Sequence, residues 1–451
     1  MLYRQLRIFC LGLTLALTWQ AAAAQGFLRD AEIESILREY TDPILEAANL
    51  VPEDVGLYVI NDPSLNAFVA GGQRIHLHTG LIIRAETPSQ LKGVIAHEAA
   101  HIASAHGARR AQDLAAASRS GFVSIGLGII ALAAGAPELG VALIANSQQI
   151  TALNFFTHTR AQEASADQSA VNFLVDSGQS AIGLVEFFEA FRYQEVLSEQ
   201  RRYAYFRTHP LASDRIARLR QRVAASEFPT EIKNQRDLHL MEMMQAKLIG
   251  YLEPPVRVYQ RYPRENTSLP ARYARAHSAI NTLDFTFALK EADYLLEAEP
   301  DNPYFHELKG FILFQNGDPE ASISPYARAV ALTEGNALLL ISYARSLIAR
   351  DQPGDMQAGE DALREALIKE PDNAFAWSEL AKALDKQGRR GDAELATAEK
   401  SFHIGDIVSA HAFAKRATNN LEKHTISYRR ALDIAAVTDP RLKENQRYYR
   451  R

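Results

Sequence analysis

The chain has 451 residues, 47% of them hydrophobic and 23% charged, enough for two or three domains that each bury a core. Its formal net charge of -5 supplies no basic field, which argues against nucleic acid as a partner. The single cysteine, Cys10, excludes a disulfide framework, so any catalytic metal has to be held by His and carboxylates.

Residues 1–24 read as a secretory signal peptide: Arg4 and Arg7, then the apolar run Ile8 to Trp19, then the small residues Ala22-Ala23-Ala24. The run is short for a membrane span, and an uncleaved anchor is the alternative. Cleavage near Ala24 would remove Cys10 and two Arg, taking the charge from -5 to -7, and would deliver the protein to the periplasm.

Val55 to Ile60, Ala67 to Val69 and Arg74 to His78 read as strands, the last from its two-residue alternation. Gly71-Gly72 between the latter two predicts a hairpin turn. Thr87-Pro88-Ser89 predicts a helix start. Farther on, the apolar stretches 121–136 and 139–145 are separated by Pro137-Glu138 and are each too short to span a bilayer. They read as a buried helical hairpin, or as a flap or peripheral membrane contact beside a site.

The chemistry centres on His97-Glu98-Ala99-Ala100-His101. On a helix, two histidines four apart share a face and reach one metal, and Glu98 lies where it can take a proton from water. His106 is five residues beyond His101, a poor angle for the same ion, and reads as a brace. The better third ligand is Glu163, in Arg160-Ala161-Gln162-Glu163-Ala164-Ser165-Ala166-Asp167. Asp167, on the same helix face, can accept a proton from a ligand histidine and orient its ring. A solvated acidic face is the bland reading, which the flanking alanines argue against.

Beyond a Pro-punctuated stretch at 226–267, read as helix plus linker, a repeat appears. Glu299-Pro300-Asp301-Asn302 returns as Glu370-Pro371-Asp372-Asn373, with Glu334-Gly335-Asn336 between. The step from Asn302 to Asn336 is 34 residues and from Asn336 to Asn373 is 37, the excess lying at 351–355. A 34-residue period with two helices per unit is that of tetratricopeptide repeats, whose concave surface holds peptides or partner proteins. The array is expected over 268–436, followed by a polar tail at 437–451.

The segment of about residues 30–225 resembles the M48 family of gluzincin metallopeptidases. The resemblance rests on HEAAH followed by Glu163 and Asp167, on Asn66-Ala67-Phe68 with Gly71-Gly72 and Thr79-Gly80-Leu81, and on Thr208-His209-Pro210 with Asp214-Arg215. With the signal peptide and the repeats, the chain is similar to the β-barrel assembly-enhancing protease group of that family. The fold this implies is mainly α: an α+β metallopeptidase domain at 25–225, with the HExxH helix beside a small edge sheet, followed by an α-solenoid. The resemblance further implies one Zn2+ per chain on His97, His101 and Glu163, with Glu98 as general base. His209 would fill the open metal position and hold the enzyme latent, or donate to the oxyanion; a helix-capping histidine is the plain alternative. Asn66 and Phe68 would line the substrate cleft, and Arg215 would orient the His209 loop or a substrate carbonyl. The implied substrates are misfolded or misassembled envelope proteins, outer-membrane β-barrels among them, with the barrel-assembly machinery as partner and a chaperone-like role besides. Against this stand a repeat-based assembly factor with a plugged zinc site, and a membrane-embedded peptidase using 121–145.

Overall fold

The computed structural model describes residues 26–105, 147–197, 203, 205–206, 209–210 and 213–441. The expectations for the leader, for His106, for 121–145 and for residues 442–451 fall outside these residues. The chain forms two compact units. One runs to Gln245 and leaves out Asp30–Glu32; the other takes Asp30–Glu32 and everything from Ala246.

The first unit contains β1 (Phe27–Leu28), α1 (Ala31–Ala47, from Ile33 onward), β2 (Gly56–Ile60), β3 (Ala67–Val69) and β4 (Arg74–His78). The four strands make one sheet in the order β1-β2-β4-β3. β2 and β4 pair in parallel, with Tyr58 opposite His76. β3 and β4 pair antiparallel, with Phe68 opposite His76, across a turn in which Gly71 and Gly72 have φ of 67° and 97°. A side chain is strained in that conformation, which is why glycine stands there. Ala67, Ile75 and Leu77 are fully buried on one face of the sheet, while Tyr58 and Phe68 on the other are half-buried. Along β4 the alternation is one of residue type rather than of exposure, since His76 and His78 are buried as well as Ile75 and Leu77.

After α2 (Thr79–Arg84) comes α3 (Pro88–Ala103). Thr87 caps α3, its side chain accepting from the backbone N–H of Gln90, and Pro88 takes the first turn, where no amide partner is needed. From Leu91 to His101 every residue of α3 except Lys92 is buried. The unit continues with α4 (Ser147–Asp176), α5 (Ile182–Ala190), α6 (Ser213–Ala224) and, as far as Gln245, α7 (Gln235–Leu252). α3 and α5 touch backbone to backbone. A Cβ on Gly93 would stand 2.8 Å from the Leu184 nitrogen, and one on Gly183 would stand 2.2 Å from the Ser89 carbonyl carbon. These two glycines set the spacing that brings Phe188 edge-on to His97, ring centroids 6.2 Å apart.

In the second unit helices pair along the chain. After α8 (Pro255–Arg261) come α9 (Leu269–Asn281) with α10 (Phe285–Ala298), and α11 (Pro303–Gln315) with α12 (Pro319–Leu332). α13 (Ala337–Arg350) with α14 (Asp355–Lys369), α15 (Ala374–Lys386) with α16 (Arg390–His403), and α17 (Ile407–Asn420) with α18 (Ile426–Val437) complete the array. The recurring Asn302, Asn336 and Asn373 are N-caps of α11, α13 and α15, each side chain accepting from the amide two residues on. Their spacing is the repeat period because each starts the first helix of a pair. The three-residue excess of the second step is spread over the unit: α13 has 14 residues against 13 in α11, α14 has 15 against 14 in α12, and the loop between them, which Asp351 opens at φ 58°, is one residue longer.

His277 on α9 is buried, with Tyr273 4.8 Å away ring to ring, and neither ring nitrogen has a hydrogen-bond partner among the described residues. Burial, assisted by the Lys247 charge, pushes its pKa down to about 3. The folded chain therefore refuses a proton that the unfolded chain accepts below about pH 6.5. The stability present above that pH drains away as pH falls towards 3. Between pH 7 and pH 5 the wild type is expected to lose about 2 kcal/mol through this group, and His277→Phe to lose none of it. Urea unfolding at the two pH values reads the difference, and parallel losses in both proteins would refute it.

Candidate metal centre

Side chains from four segments converge in the first unit. α3 supplies His97, Glu98 and His101; α4 supplies Glu163 and Asp167; α6 supplies Arg215; and the segment before α6 supplies His209. All seven are at least nine-tenths buried.

His97 Nε2 lies 3.1 Å from His101 Nε2 and 3.3 Å from both Glu163 Oε2 and His209 Nδ1. His209 Nδ1 is 3.1 Å from Glu163 Oε2, and Glu163 Oε1 is 3.6 Å from His101 Nε2. One atom from each of His97, His101, Glu163 and His209 falls within 4.8 Å of the others, so this group could hold a metal ion. The donor set fits zinc. Corners of a tetrahedron with bonds near 2.0–2.1 Å stand roughly 3.3 Å apart, and nitrogen and carboxylate donors are those zinc takes in catalytic sites. His209 Nδ1 is the fourth atom of the group, 3.3 Å from His97 Nε2 and 3.1 Å from Glu163 Oε2. Its other nitrogen, Nε2, is 3.5 Å from Glu98 Oε1.

Around the donors lies a second set of contacts. Asp167 Oδ1 is 3.1 Å from His97 Nδ1, the nitrogen that points away from the centre. Arg215 forks onto Asp167, with Nε donating to Oδ2 at 2.5 Å and Nη2 to Oδ1 at 2.8 Å. Its Nη1 donates to the Pro210 carbonyl at 3.0 Å and stands 3.2 Å from Glu163 Oε2. The guanidinium also lies 4.8 Å from the centre of the Phe188 ring. One arginine thus ties α4, α5 and the backbone beside His209 together.

Burial by itself would lower the His97 pKa, but hydrogen bonds to Asp167 and Glu163 outweigh it and raise it to about 9. For Glu163, burial works upward and is overcome by His209, His97 and Arg215, which hold the carboxyl well below its usual range. Burial also works upward on Asp167, and Arg215 and His97 pull it down. Both carboxylates are charged at neutral pH, the state in which they could serve a metal. A metal bound here would have to displace the His97 proton, so acid would compete with it.

Asn66 and Phe68 sit at the edge of the sheet, Asn66 just before β3 and Phe68 within it. Asn66 Nδ2 is 3.5 Å from His78 Nε2, and Phe68 stacks on His76. Sequence reasoning missed Tyr205 and Phe188. The Tyr205 ring lies 4.8 Å from the His209 ring, and the Tyr205 N–H donates to the Leu65 carbonyl at 3.3 Å. Neither residue belongs to a motif with a chemical reason of its own. The bidentate Arg215–Asp167 pair also went unread, since the two stand 48 residues apart.

Residues 28–223 match Peptidase family M48. This segment is similar to that family. The chain is also similar to the β-barrel assembly-enhancing protease of Escherichia coli (strain K12), at 26% identity over 370 residues, or 80% of this chain and 73% of that one. With the Yersinia pestis protein of the same name the identity is 24% over 394 residues, 85% and 79% of the two chains. Among solved structures, MamA covers 39% of this chain and 97% of its own, at 19% identity and a TM-score of 0.29. The matched segment contains the whole donor group and its second set of contacts. No helix among the described residues is long and apolar enough to cross a membrane.

Proposed function

We propose that the chain is a zinc-dependent endopeptidase of the bacterial periplasm, cutting misfolded or misassembled envelope proteins, outer-membrane β-barrels in particular. The observation that carries this reading is the buried group His97, His101, Glu163 and His209 with the Glu98 carboxylate against it. The relatives named for β-barrel assembly support the substrate class and the barrel-assembly machinery as partner. In this reading residues 25–225 are the catalytic domain, 226–267 a linker and 268–436 the tetratricopeptide repeats that recruit clients.

His97, His101 and Glu163 would hold the zinc, which would supply a Lewis acid for the scissile carbonyl. Glu98 takes the proton from the attacking water and returns it to the departing amine. Asp167 holds the His97 ring by its outer nitrogen, and Arg215 holds Asp167.

A second reading has its own support in the position of His209 as the fourth member of the group. With that position filled the site is latent, and the protein acts as an assembly factor until the segment moves away. Casein degradation by wild type and His209→Ala, with zinc content measured in parallel, separates the two. The gated-peptidase reading expects His209→Ala to cleave faster at unchanged zinc. Slower cleavage would make His209 a donor to the oxyanion. No cleavage by either protein with zinc bound would leave the assembly factor as the function.

A further inference from the structure

An aromatic ladder crosses the sheet on the face away from its core. Phe27 stands 5.2 Å from Tyr58, Tyr58 stacks on His76 at 5.3 Å and 17°, and His76 stacks on Phe68 at 4.8 Å and 7°. The rungs follow the strand order β1-β2-β4-β3, so the ladder ends at Phe68 on the edge strand. His76 is buried among these rings, and burial lowers its pKa, keeping it a neutral, stackable ring.

The hydrogen-bond register says how the ladder can continue. The His78 N–H donates to the Asn66 carbonyl and the Ala70 N–H to the Arg74 carbonyl, both at 3.1 Å. In an antiparallel pair, bonded and non-bonded positions alternate. The 66/78, 68/76 and 70/74 pairs are therefore the bonded ones, and the backbone groups of Phe68 face β4. Those of Ala67 and Val69 face the edge of the sheet, where no strand among the described residues pairs with them. Leu65, two residues earlier, has the same orientation, and its carbonyl accepts the Tyr205 N–H. This edge can therefore take a backbone donor from another stretch of chain.

A polypeptide laid antiparallel along β3 bonds to Ala67 and Val69. Its residue opposite Phe68 then occupies a non-hydrogen-bonded position, where Cα atoms come within roughly 4.5 Å and side chains are in closest contact. That side chain lies on the ladder face, and its two neighbours project to the core side of the sheet.

We infer that the Phe68–His76–Tyr58 ladder is a specificity determinant: it selects a substrate strand carrying an aromatic side chain opposite Phe68. The inference rests on the peptidase reading and adds to it the kind of sequence that is cut. The selected segment is extended, with an aromatic residue on one face, as a β-strand of a misassembled sheet protein would be.

The test uses the full-length protein. Casein digestion followed by mass spectrometry locates the cleavage sites, and matched short fluorogenic peptides then carry Phe or Lys at the enriched position. One subsite is expected to collect Phe, Tyr and Trp, with kcat/KM about three- to tenfold higher for the Phe peptide, the range of aromatic cross-strand pairs. Phe68→Val and His76→Val should bring that ratio close to one, while Phe68→Tyr keeps it. A preference that survives Phe68→Val, or aromatic residues spread evenly over all subsites, overturns the inference. Binding of the same peptides is followed by fluorescence anisotropy, so that the two readings fail separately. Aromatic-dependent binding without hydrolysis overturns the peptidase and keeps the ladder. Hydrolysis with equal binding and equal rates overturns the ladder and keeps the peptidase. Neither binding nor hydrolysis overturns both.

Discussion

Glu98→Gln is expected to lower casein cleavage at least about a thousandfold, within the range that a positioned general base contributes. Glu98 is fully buried on α3, beside the His97–His101 face, and its carboxylate approaches the nitrogen of His209 that points away from Glu163. The amide has nearly the same shape and cannot take a proton, so the helix keeps its packing and loses the base. Zinc content and client binding should stay at the wild-type level, because Glu98 is not in the donor group. Residual cleavage within about tenfold of wild type would take the role of base away from Glu98. Loss of zinc together with activity would make Glu98 part of the metal's support.

Removing Arg215 should do the greatest damage to the architecture of the site. Its guanidinium is buried, satisfies Asp167 with two hydrogen bonds, reaches Glu163 and fixes the Pro210 carbonyl next to His209. Arg215→Met keeps most of the volume and leaves two buried carboxylates short of their cation. Breaking a buried pair in this way costs roughly 3–5 kcal/mol. The loss should appear in urea unfolding of the metal-free protein. Metal affinity should fall about 10–100-fold, the usual effect of disturbing a ligand's hydrogen-bond partner. Arg215→Lys should rescue little, since an ammonium cannot span both Asp167 oxygens and Pro210 at once. A variant within about 1 kcal/mol of wild type would show the arginine to be a surface-like pair despite its burial.

Much of this protein was legible before folding. HExxH spacing is set by the helical period, so His97 and His101 are on one face wherever that helix lies. The same holds for Glu163 and Asp167, and Thr87-Pro88 marks the start of α3 by chemistry local to one turn. The strands at 67–69 and 74–78 follow from alternation and from Gly71-Gly72. The repeat was readable because Asn302, Asn336 and Asn373 each cap the same helix of a recurring unit. All of these are determined by neighbours within a few residues, which is the range over which sequence pattern has physical force.

Tertiary structure decided the remainder. Nothing local says that Arg215 forks onto Asp167, that Tyr205 lies beside His209, or that His209 joins His97, His101 and Glu163 in one buried group. Those contacts depend on how α3, α4, α5 and α6 are spaced, and the spacing turns on Gly93 and Gly183 admitting backbone contact. The ladder is of the same kind. Tyr58 lies beside His76 only because β2 and β4 pair in parallel in one particular register, and a slip of one residue would turn each side chain to the other face. Local periodicity places a side chain on a face; long-range packing chooses which faces meet.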